Sequence, residues 1–127
     1  MKPFCAFCNP GAGRAILLEN DLAFAIYDKY PVTEGHVLVV TRRCAPQYFD
    51  LTANEKSACW ELVDEVKKML EGKFNPDGFN IGINCGEAAG QTVMHVHIHI
   101  IPRYRGDVEN PRGGVRGVIP WKQKYGE

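Results

Sequence analysis

Residues 94 to 102 read Met94-His95-Val96-His97-Ile98-His99-Ile100-Ile101-Pro102, and this stretch holds three of the four histidines in the chain. Side chains alternate between the two faces of a β-strand. A strand here therefore puts the three histidines on one face and the aliphatic residues between them on the other. Successive imidazoles on that face start roughly 6.6 Å apart at a rise of about 3.3 Å per residue. This spacing suits groups that surround a phosphate.

Length and composition favour one soluble domain over residues 1–127, with an N-terminal segment at 1–13 and a tail rich in glycine and proline at 106–127. The 15 basic and 15 acidic residues balance, so net charge gives no argument for a nucleic acid or a membrane as partner. No apolar run approaches the roughly 20 residues that span a bilayer. The start of the chain also lacks the apolar run of a signal peptide, so a cytoplasmic location is expected.

The remaining elements follow from short apolar runs and from one helical repeat. Strands are predicted at 15–18 and 22–27, which form a hairpin, at 35–41 and at 79–84. Thr52 and Glu55 form a capping box at the start of an amphipathic helix, and Gly72 offers a stop. The order of these elements predicts an α+β domain whose mainly antiparallel sheet is covered by one long helix.

Three histidines on one strand face favour a chemical site over a structural one, because three buried imidazoles would each need hydrogen-bond partners. A metal site and a phosphate site both remain open at this level. Gly90, Gln91 and Thr92 precede the strand and offer neutral hydrogen-bond donors, and no carboxylate lies among them. The flanking residues therefore favour phosphate.

A second group of candidate residues is the pair Cys5 and Cys8, which stand two residues apart at the start of the chain. This spacing suits metal chelation, redox chemistry or a tight disulfide. The odd total of five cysteines, without an export signal, argues against a disulfide framework.

Gly35-His36-Val37-Leu38-Val39, followed after the helix by residues 90–103, resembles the histidine triad (HIT) family of nucleotide hydrolases and transferases. The resemblance covers nearly the whole chain. It is closest to the fragile-histidine-triad and bacterial dinucleoside polyphosphate hydrolase branches. It implies a HIT-like fold with a five-stranded, mainly antiparallel sheet, one long helix, one short helix, and a homodimer across which the sheet extends.

The resemblance assigns catalytic roles to three histidines. His97, the middle member of the triad, would be the nucleophile and would carry a covalent nucleotidyl intermediate. His99 would contact the phosphate and assist the leaving group, and His36 would lie against the phosphate from the neighbouring strand. A neutral imidazole attacks well near pH 7, which agrees with this assignment.

The resemblance also implies four substrate-binding residues. Gln91 and Thr92 match positions beside the phosphate, and Asn84 matches an amide near the leaving group. Asp28 stands eight residues before His36, at the position where the family has an Asp or Asn that hydrogen-bonds the ribose hydroxyls. The alternative is that Asp28 is an ordinary turn residue without a role in binding. Basic and aromatic residues of the tail, among them Arg112, Arg116, Trp121, Lys122 and Lys124, suit either a second phosphate and base or a solvated arm.

Some bacterial members of the family hold a structural zinc ion, and the matching ligands here would be Cys5, Cys8, Cys44 and His95. The family usually shows histidine at the position of Cys44, and a thiolate keeps a tetrahedral ligand set. The alternative is a group of reduced thiols without a metal.

The expected function is hydrolysis or nucleotidyl transfer at the α-phosphate of an adenine nucleotide, with a dinucleoside polyphosphate as substrate. No organic cofactor, membrane or specific nucleic acid is expected as a partner. An adenosine phosphoramidate hydrolase and a nucleotide-binding module without catalysis are the alternatives. A metal-dependent hydrolase that uses all three triad histidines as ligands is a further alternative.

Overall fold

The computed structural model describes residues 5–8 and 14–126 of the chain. Six elements carry the fold: β1 (Leu18–Glu19), β2 (Ala23–Tyr27), β3 (Val37–Thr41), α1 (Ala53–Phe74), β4 (Gly78–Gly82) and β5 (His97–Arg103). Short 3₁₀ helices lie at Tyr48–Asp50, Glu87–Ala89, Gly114–Val118 and Pro120–Lys122. The rest of the predicted N-terminal segment lies outside the described residues.

The predicted sheet is confirmed as five-stranded and antiparallel throughout, in the order β1-β2-β3-β5-β4. The central strand β3 is buried along its whole length, which explains its continuous run of apolar, mostly β-branched residues. The first predicted strand is shorter than expected, since only Leu18 of 15–18 lies in β1.

The sheet has two different faces. On one face, Val37, Val39, Ile98 and Ile100 pack with the buried side of α1 in the main core. On the other face, Phe24, Ile26, Leu38 and Val40 form a smaller cluster with Phe7. The pairing of Leu38 with His99 and of Val40 with His97 puts both histidines on this second face, away from the helix.

The prediction for the histidine strand is wrong at its first residue. β5 begins at His97, and His95 lies in a bend before it. Val96 donates its backbone N–H to the carbonyl of Ala45 (2.9 Å) instead of joining the ladder with β3. His95 therefore lies outside the ladder, although its ring, like that of His97, contacts Phe7 of the cluster on the second face.

The predicted capping box begins α1: Thr52 accepts from the Glu55 backbone, and Glu55 reaches back to Thr52. The predicted stop is wrong, because the helix passes through Gly72 and ends at Phe74. Asn75 caps it in the left-handed conformation (φ 52°, ψ 54°). Asparagine tolerates this conformation, and the Pro76 that follows disfavours another helical residue. No helix in the described part of the chain is long and apolar enough to span a bilayer.

The end of α1 also helps to place His36. The ring of Phe74 lies so close to Gly35 that a Cβ there would come within 2.9 Å of it, and Gly35 has a φ of +91°. Both features require glycine at this position. The chain can therefore turn into β3 beneath the helix, with His36 as the residue that leads into the strand.

Glu55 joins the start of α1 to the segment that carries Cys44. Arg43 binds the buried Glu55 carboxylate through two hydrogen bonds, of 3.0 and 2.9 Å, and also binds the carbonyl of Asp50. Hydrogen bonds from Arg43, and from the Thr52 backbone, lower the pKa of Glu55 to about 2, against the cost of burial.

Replacing Glu55 with glutamine should lower the free energy of unfolding at pH 7 by roughly 1.5–3 kcal/mol, the range for hydrogen bonds to a charged group. A carboxylate with a depressed pKa stabilises the fold above its unfolded pKa, and this contribution is lost as the pH falls through the folded value. The difference between wild type and Glu55→Gln should therefore shrink between about pH 4.5 and 2.

Urea denaturation across this pH range checks the expectation, with Glu65→Gln, an exposed glutamate on the same helix, as the matched control. A difference between wild type and Glu55→Gln that stays constant down to pH 2 would contradict it.

Candidate functional site

His97 is held in one tautomer by a backbone carbonyl. Its Nδ1 lies 2.8 Å from the carbonyl oxygen of His95, and the residue is only 9% exposed. A carbonyl oxygen can only accept, so Nδ1 carries the proton and the lone pair of the neutral ring lies on Nε2. The side chain lines the main cavity of the protein. In the neutral ring, Nε2 is therefore the nitrogen that can act as a nucleophile.

His99 is oriented in the opposite tautomer through a chain of hydrogen bonds. The backbone N–H of Val32 donates to Nδ1 of His36 (3.0 Å), so the neutral His36 ring carries its proton on Nε2. That Nε2 lies 3.0 Å from Nδ1 of His99 and donates to it. His99 therefore keeps its own proton on Nε2, and its ring lies 5.1 Å from the ring of His97.

Both of these histidines favour the neutral form. Burial, followed by repulsion from His97 and His36, lowers the pKa of His99 to about 4, although Asp28 acts in the opposite direction. Burial also lowers the pKa of His36, again against the attraction of Asp28. Near neutral pH, His99 therefore offers a hydrogen-bond donor and not a positive charge.

Asp28 lies beside this histidine pair. One carboxylate oxygen is 3.4 Å from Nε2 of His36 and 3.9 Å from Nδ1 of His99, and the other accepts from the backbone of Tyr30 (2.8 Å). Asp28, His36 and His99 are close enough together to hold a metal ion. The Val32 hydrogen bond argues against a metal there, because it leaves no lone pair on Nε2 of the neutral His36 ring.

The histidines face a cavity of about 810 Å³ on the sheet face opposite to α1. This volume lies within the range of small-molecule sites. Six of the seven residues predicted to act on the substrate line the cavity. These residues are Asp28, His36, Asn84, Thr92, His97 and His99.

Gln91, the seventh, is not among the lining residues. It is 3% exposed, and its side chain binds three backbone groups: it accepts from the N–H of Gly86 and donates to the carbonyls of Pro46 and Val93. The amide thereby fixes the loop that carries Thr92.

The cavity has two further walls, of which the sequence suggested only the one formed by the tail. Phe7 and Arg14 form one wall, with the Arg14 guanidinium 5.9 Å from the centre of the Phe7 ring. Arg14 Nη1 is buried and has no hydrogen-bond partner within residues 5–8 and 14–126. The sequence does not predict this wall, because Phe7 is far from the histidine strand along the chain and no local pattern pairs the two.

The tail supplies the other wall through small and aliphatic residues. Val115 and Val118 line the cavity, as does Ile81 of β4. The basic residues named above are placed differently, since Arg112 and Arg116 lie over the ring of Tyr125 at 5.3 and 4.7 Å. The tail therefore reaches the cavity with apolar contacts.

The structure brings Cys5, Cys8, Cys44 and His95 together into a second cluster that could hold a metal ion. Nδ1 of His95 lies 3.3 Å from the Cys5 sulfur and 3.7 Å from the Cys8 sulfur, and the Cys44 and Cys5 sulfurs are 3.9 Å apart. A tetrahedral Zn²⁺ with ordinary bond lengths sets its ligand atoms about 3.5–3.8 Å apart. The donor set and its spacing therefore fit zinc.

His95 is oriented for this cluster by the end of β3. Its Nε2 lies 2.6 Å from the carbonyl of Thr41, so Nε2 carries the proton and the lone pair on Nδ1 faces the sulfurs. Burial and the neighbouring thiols raise the pKa of Cys44 to about 12. A bound cation would reverse this preference by stabilising the thiolates.

The three triad histidines do not share one ligand cluster within the described residues, because His95 belongs to the cysteine cluster and His99 lies with Asp28 and His36. The other two cysteines lie outside these clusters. Cys59 is fully buried in the main core, and Cys85 is partly buried in the loop after β4.

Comparison with known proteins adds a family to this geometry. The sequence model of the HIT domain family matches residues 11–106. The bis(5'-adenosyl)-triphosphatase of Dictyostelium discoideum is 44% identical over 95 residues, which are 75% of this chain and 64% of that protein. The matched region is 64% of the length of that relative, and it is 53% and 52% of the length of relatives from Arabidopsis thaliana and Schizosaccharomyces pombe.

Solved structures show the same fold. A HIT family protein from Bacillus anthracis has a TM-score of 0.78 and 35% identity, over 84% of this chain and 78% of that one. A Zn-bound histidine triad family protein from Mycobacterium smegmatis has a TM-score of 0.74 and 30% identity, also over 84% and 78% of the two chains.

Proposed function

Because the chain belongs to the HIT domain family, we propose that it hydrolyses or transfers nucleotides at the α-phosphate, with diadenosine polyphosphates as substrates. The observation that carries this proposal is the tautomer of His97. Its Nδ1 proton is held by the His95 carbonyl, so the lone pair on Nε2 is free in a residue that lines the cavity. The name of the Dictyostelium relative supports the choice of substrate.

In the first step, Nε2 of His97 attacks the α-phosphorus, and the bond from that phosphorus to the bridging oxygen breaks. The departing nucleotide keeps the electron pair of this bond on its terminal phosphate. The imidazole becomes positively charged as the bond to phosphorus forms, and the hydrogen bond from Nδ1 to the His95 carbonyl stabilises that charge. Water then attacks the same phosphorus, the bond from phosphorus to Nε2 breaks with its electron pair returning to His97, and the proton lost by the water leaves to solvent.

His99 stabilises the charge that develops on the phosphate oxygens. Its Nε2–H is a fixed donor because His36 donates to its Nδ1. A donor that is already oriented needs no rearrangement during the reaction. With a pKa near 4, the neutral ring assists the leaving oxygen through this hydrogen bond.

The other predicted residues have supporting roles in this proposal. Asn84 and Thr92 line the cavity and can donate to phosphate oxygens, and Asp28 can accept from the ribose hydroxyls. Gln91 acts indirectly by holding the loop that carries Thr92. The volume of the cavity and the aromatic and aliphatic residues that line it, Phe7, Val115 and Val118, support a substrate with two nucleosides over one with a small amine as leaving group.

We also propose that Cys5, Cys8, Cys44 and His95 hold a structural zinc ion, which is supported by the spacing of the donor atoms and by the Zn-bound relative. When bound, zinc would supply a fixed crosslink between the start of the chain, the segment after β3 and the bend before β5. The homodimer, with its sheet continued across two copies, and the cytoplasmic location remain predictions. The exposed Ile81 on the edge strand β4 is compatible with such a dimer.

Replacing His97 with alanine should lower kcat on diadenosine triphosphate by at least about 10³-fold, because the nucleophile itself is removed. The Kd for AMP should change by no more than a few-fold. Intact-mass measurement of an acid-quenched wild-type reaction should show a nucleotidyl adduct that is missing from His97→Ala. Residual turnover above a tenth of the wild-type rate would contradict the mechanism, and faster turnover of an adenosine phosphoramidate would contradict the substrate.

Replacing Cys44 with serine should reduce bound zinc well below one ion per chain and lower Tm, because a thiolate ligand is lost. Cys44→His should retain the metal, since imidazole suits the same geometry. Cys85→Ser, outside the cluster, is the matched control. Elemental analysis and thermal denaturation measure both effects. Full zinc content in Cys44→Ser would contradict the assignment of this ligand.

A further inference from the structure

Phe7 connects the cysteine cluster to the candidate nucleophile. It lies between Cys5 and Cys8 in a turn that is closed by the hydrogen bond from the Cys8 N–H to the Cys5 carbonyl (3.3 Å). Its side chain is 6% exposed. The centre of its ring lies 5.0 Å from that of His97, edge to face, and 6.1 Å from that of His95.

The position of the His97 ring depends on residues of the cysteine cluster from two sides. The carbonyl of His95 holds Nδ1, and the ring of Phe7 packs against the imidazole. The His99 ring forms a third contact, at 5.1 Å. Of these three contacts among the described residues, two come from a ligand of the cluster or from the turn between two of its ligands.

Small displacements of a nucleophile have large effects on rate, and a shift of about 1 Å can cost about 10²-fold. An edge-to-face aromatic contact contributes roughly 0.5–1.5 kcal/mol beyond area burial, enough to favour one ring position. Crosslinking the sulfurs on both sides of Phe7 would restrict its backbone.

We propose that Phe7 is a positioning residue through which metal binding at Cys5 and Cys8 holds His97 in its attacking position. The proposal rests on the hydrolase function proposed above and extends it by coupling the metal cluster to the reaction. The rival explanation is that Phe7 is only a wall of the nucleotide cavity, since it also lines that cavity.

Kinetics of zinc-loaded Phe7→Ala separate the two explanations. Positioning predicts that zinc content stays near the wild-type value, that kcat falls by about 10- to 100-fold and that KM changes by less than about threefold. The control is Phe24→Leu. Phe24 is buried in the same hydrophobic cluster as Phe7 but does not line the cavity, so this substitution should leave kcat within about twofold. A loss confined to KM in Phe7→Ala would overturn the proposal.

Removing zinc with a chelator from wild type and from Phe7→Ala completes a thermodynamic cycle. If Phe7 transmits the effect of the metal, chelation should lower wild-type kcat at least about tenfold and change that of Phe7→Ala by less than about twofold. Equal losses in both proteins would overturn the proposal. If chelation unfolds the protein, the division between kcat and KM at full zinc occupancy decides the matter.

A spectroscopic measurement keeps this test independent of turnover. The nuclear Overhauser effect between the Phe7 ring and the His97 ring should be present with Zn²⁺ and weaken on chelation, while such effects within the α1 core persist. An unchanged Phe7 signal after zinc removal would overturn the coupling. A wild-type protein that shows this signal but turns over no nucleotide would overturn the proposed function instead.

Discussion

The hydrogen bond from Nδ1 of His97 to the carbonyl of His95 is the interaction on which the rest of the site depends. Because a carbonyl can only accept, this bond fixes the proton on one nitrogen and leaves the other free for attack. The same residue that supplies the carbonyl turns its side chain toward three cysteines and is itself oriented by Thr41. One residue therefore contributes its backbone to the proposed reaction and its imidazole to the proposed metal cluster.

The sheet provides the rigid support for this arrangement. β3 lies at the centre of the sheet and contributes to both faces. Val37 and Val39 point toward α1, and Leu38 and Val40 point toward the cavity side. Antiparallel pairing with β5 sets His97 and His99 on that same side. The close approach of Phe74 to Gly35 leads the chain into β3 at the point where His36 can reach His99. Backbone geometry thus sets where the histidines lie, and contacts such as those of Phe7 with His97 and of His36 with His99 then orient their rings.

Much of this arrangement could be predicted from the sequence, because alternation along a strand and helix capping are local. The alternation predicted a common face for His97 and His99, and Thr52 and Glu55 predicted the start of α1. Alternation does not show where a ladder begins, and Val96 pairs with Ala45, which places His95 outside the strand. The end of α1 at Phe74 depended on the backbone conformation of Asn75, and the contact of Phe7 with His97 joins residues far apart in the chain. The partners of the Gln91 amide likewise depend on how its loop closes around it.

The histidines around the cavity occupy different, fixed tautomers before any substrate binds. Nitrogen-15 chemical shifts of histidine-labelled protein near pH 7, measured through long-range proton couplings, report these tautomers directly. The structure predicts that His97 carries its proton on Nδ1, whereas His36, His95 and His99 carry theirs on Nε2. A His97 ring protonated on Nε2, or a His99 ring protonated on Nδ1, would contradict it.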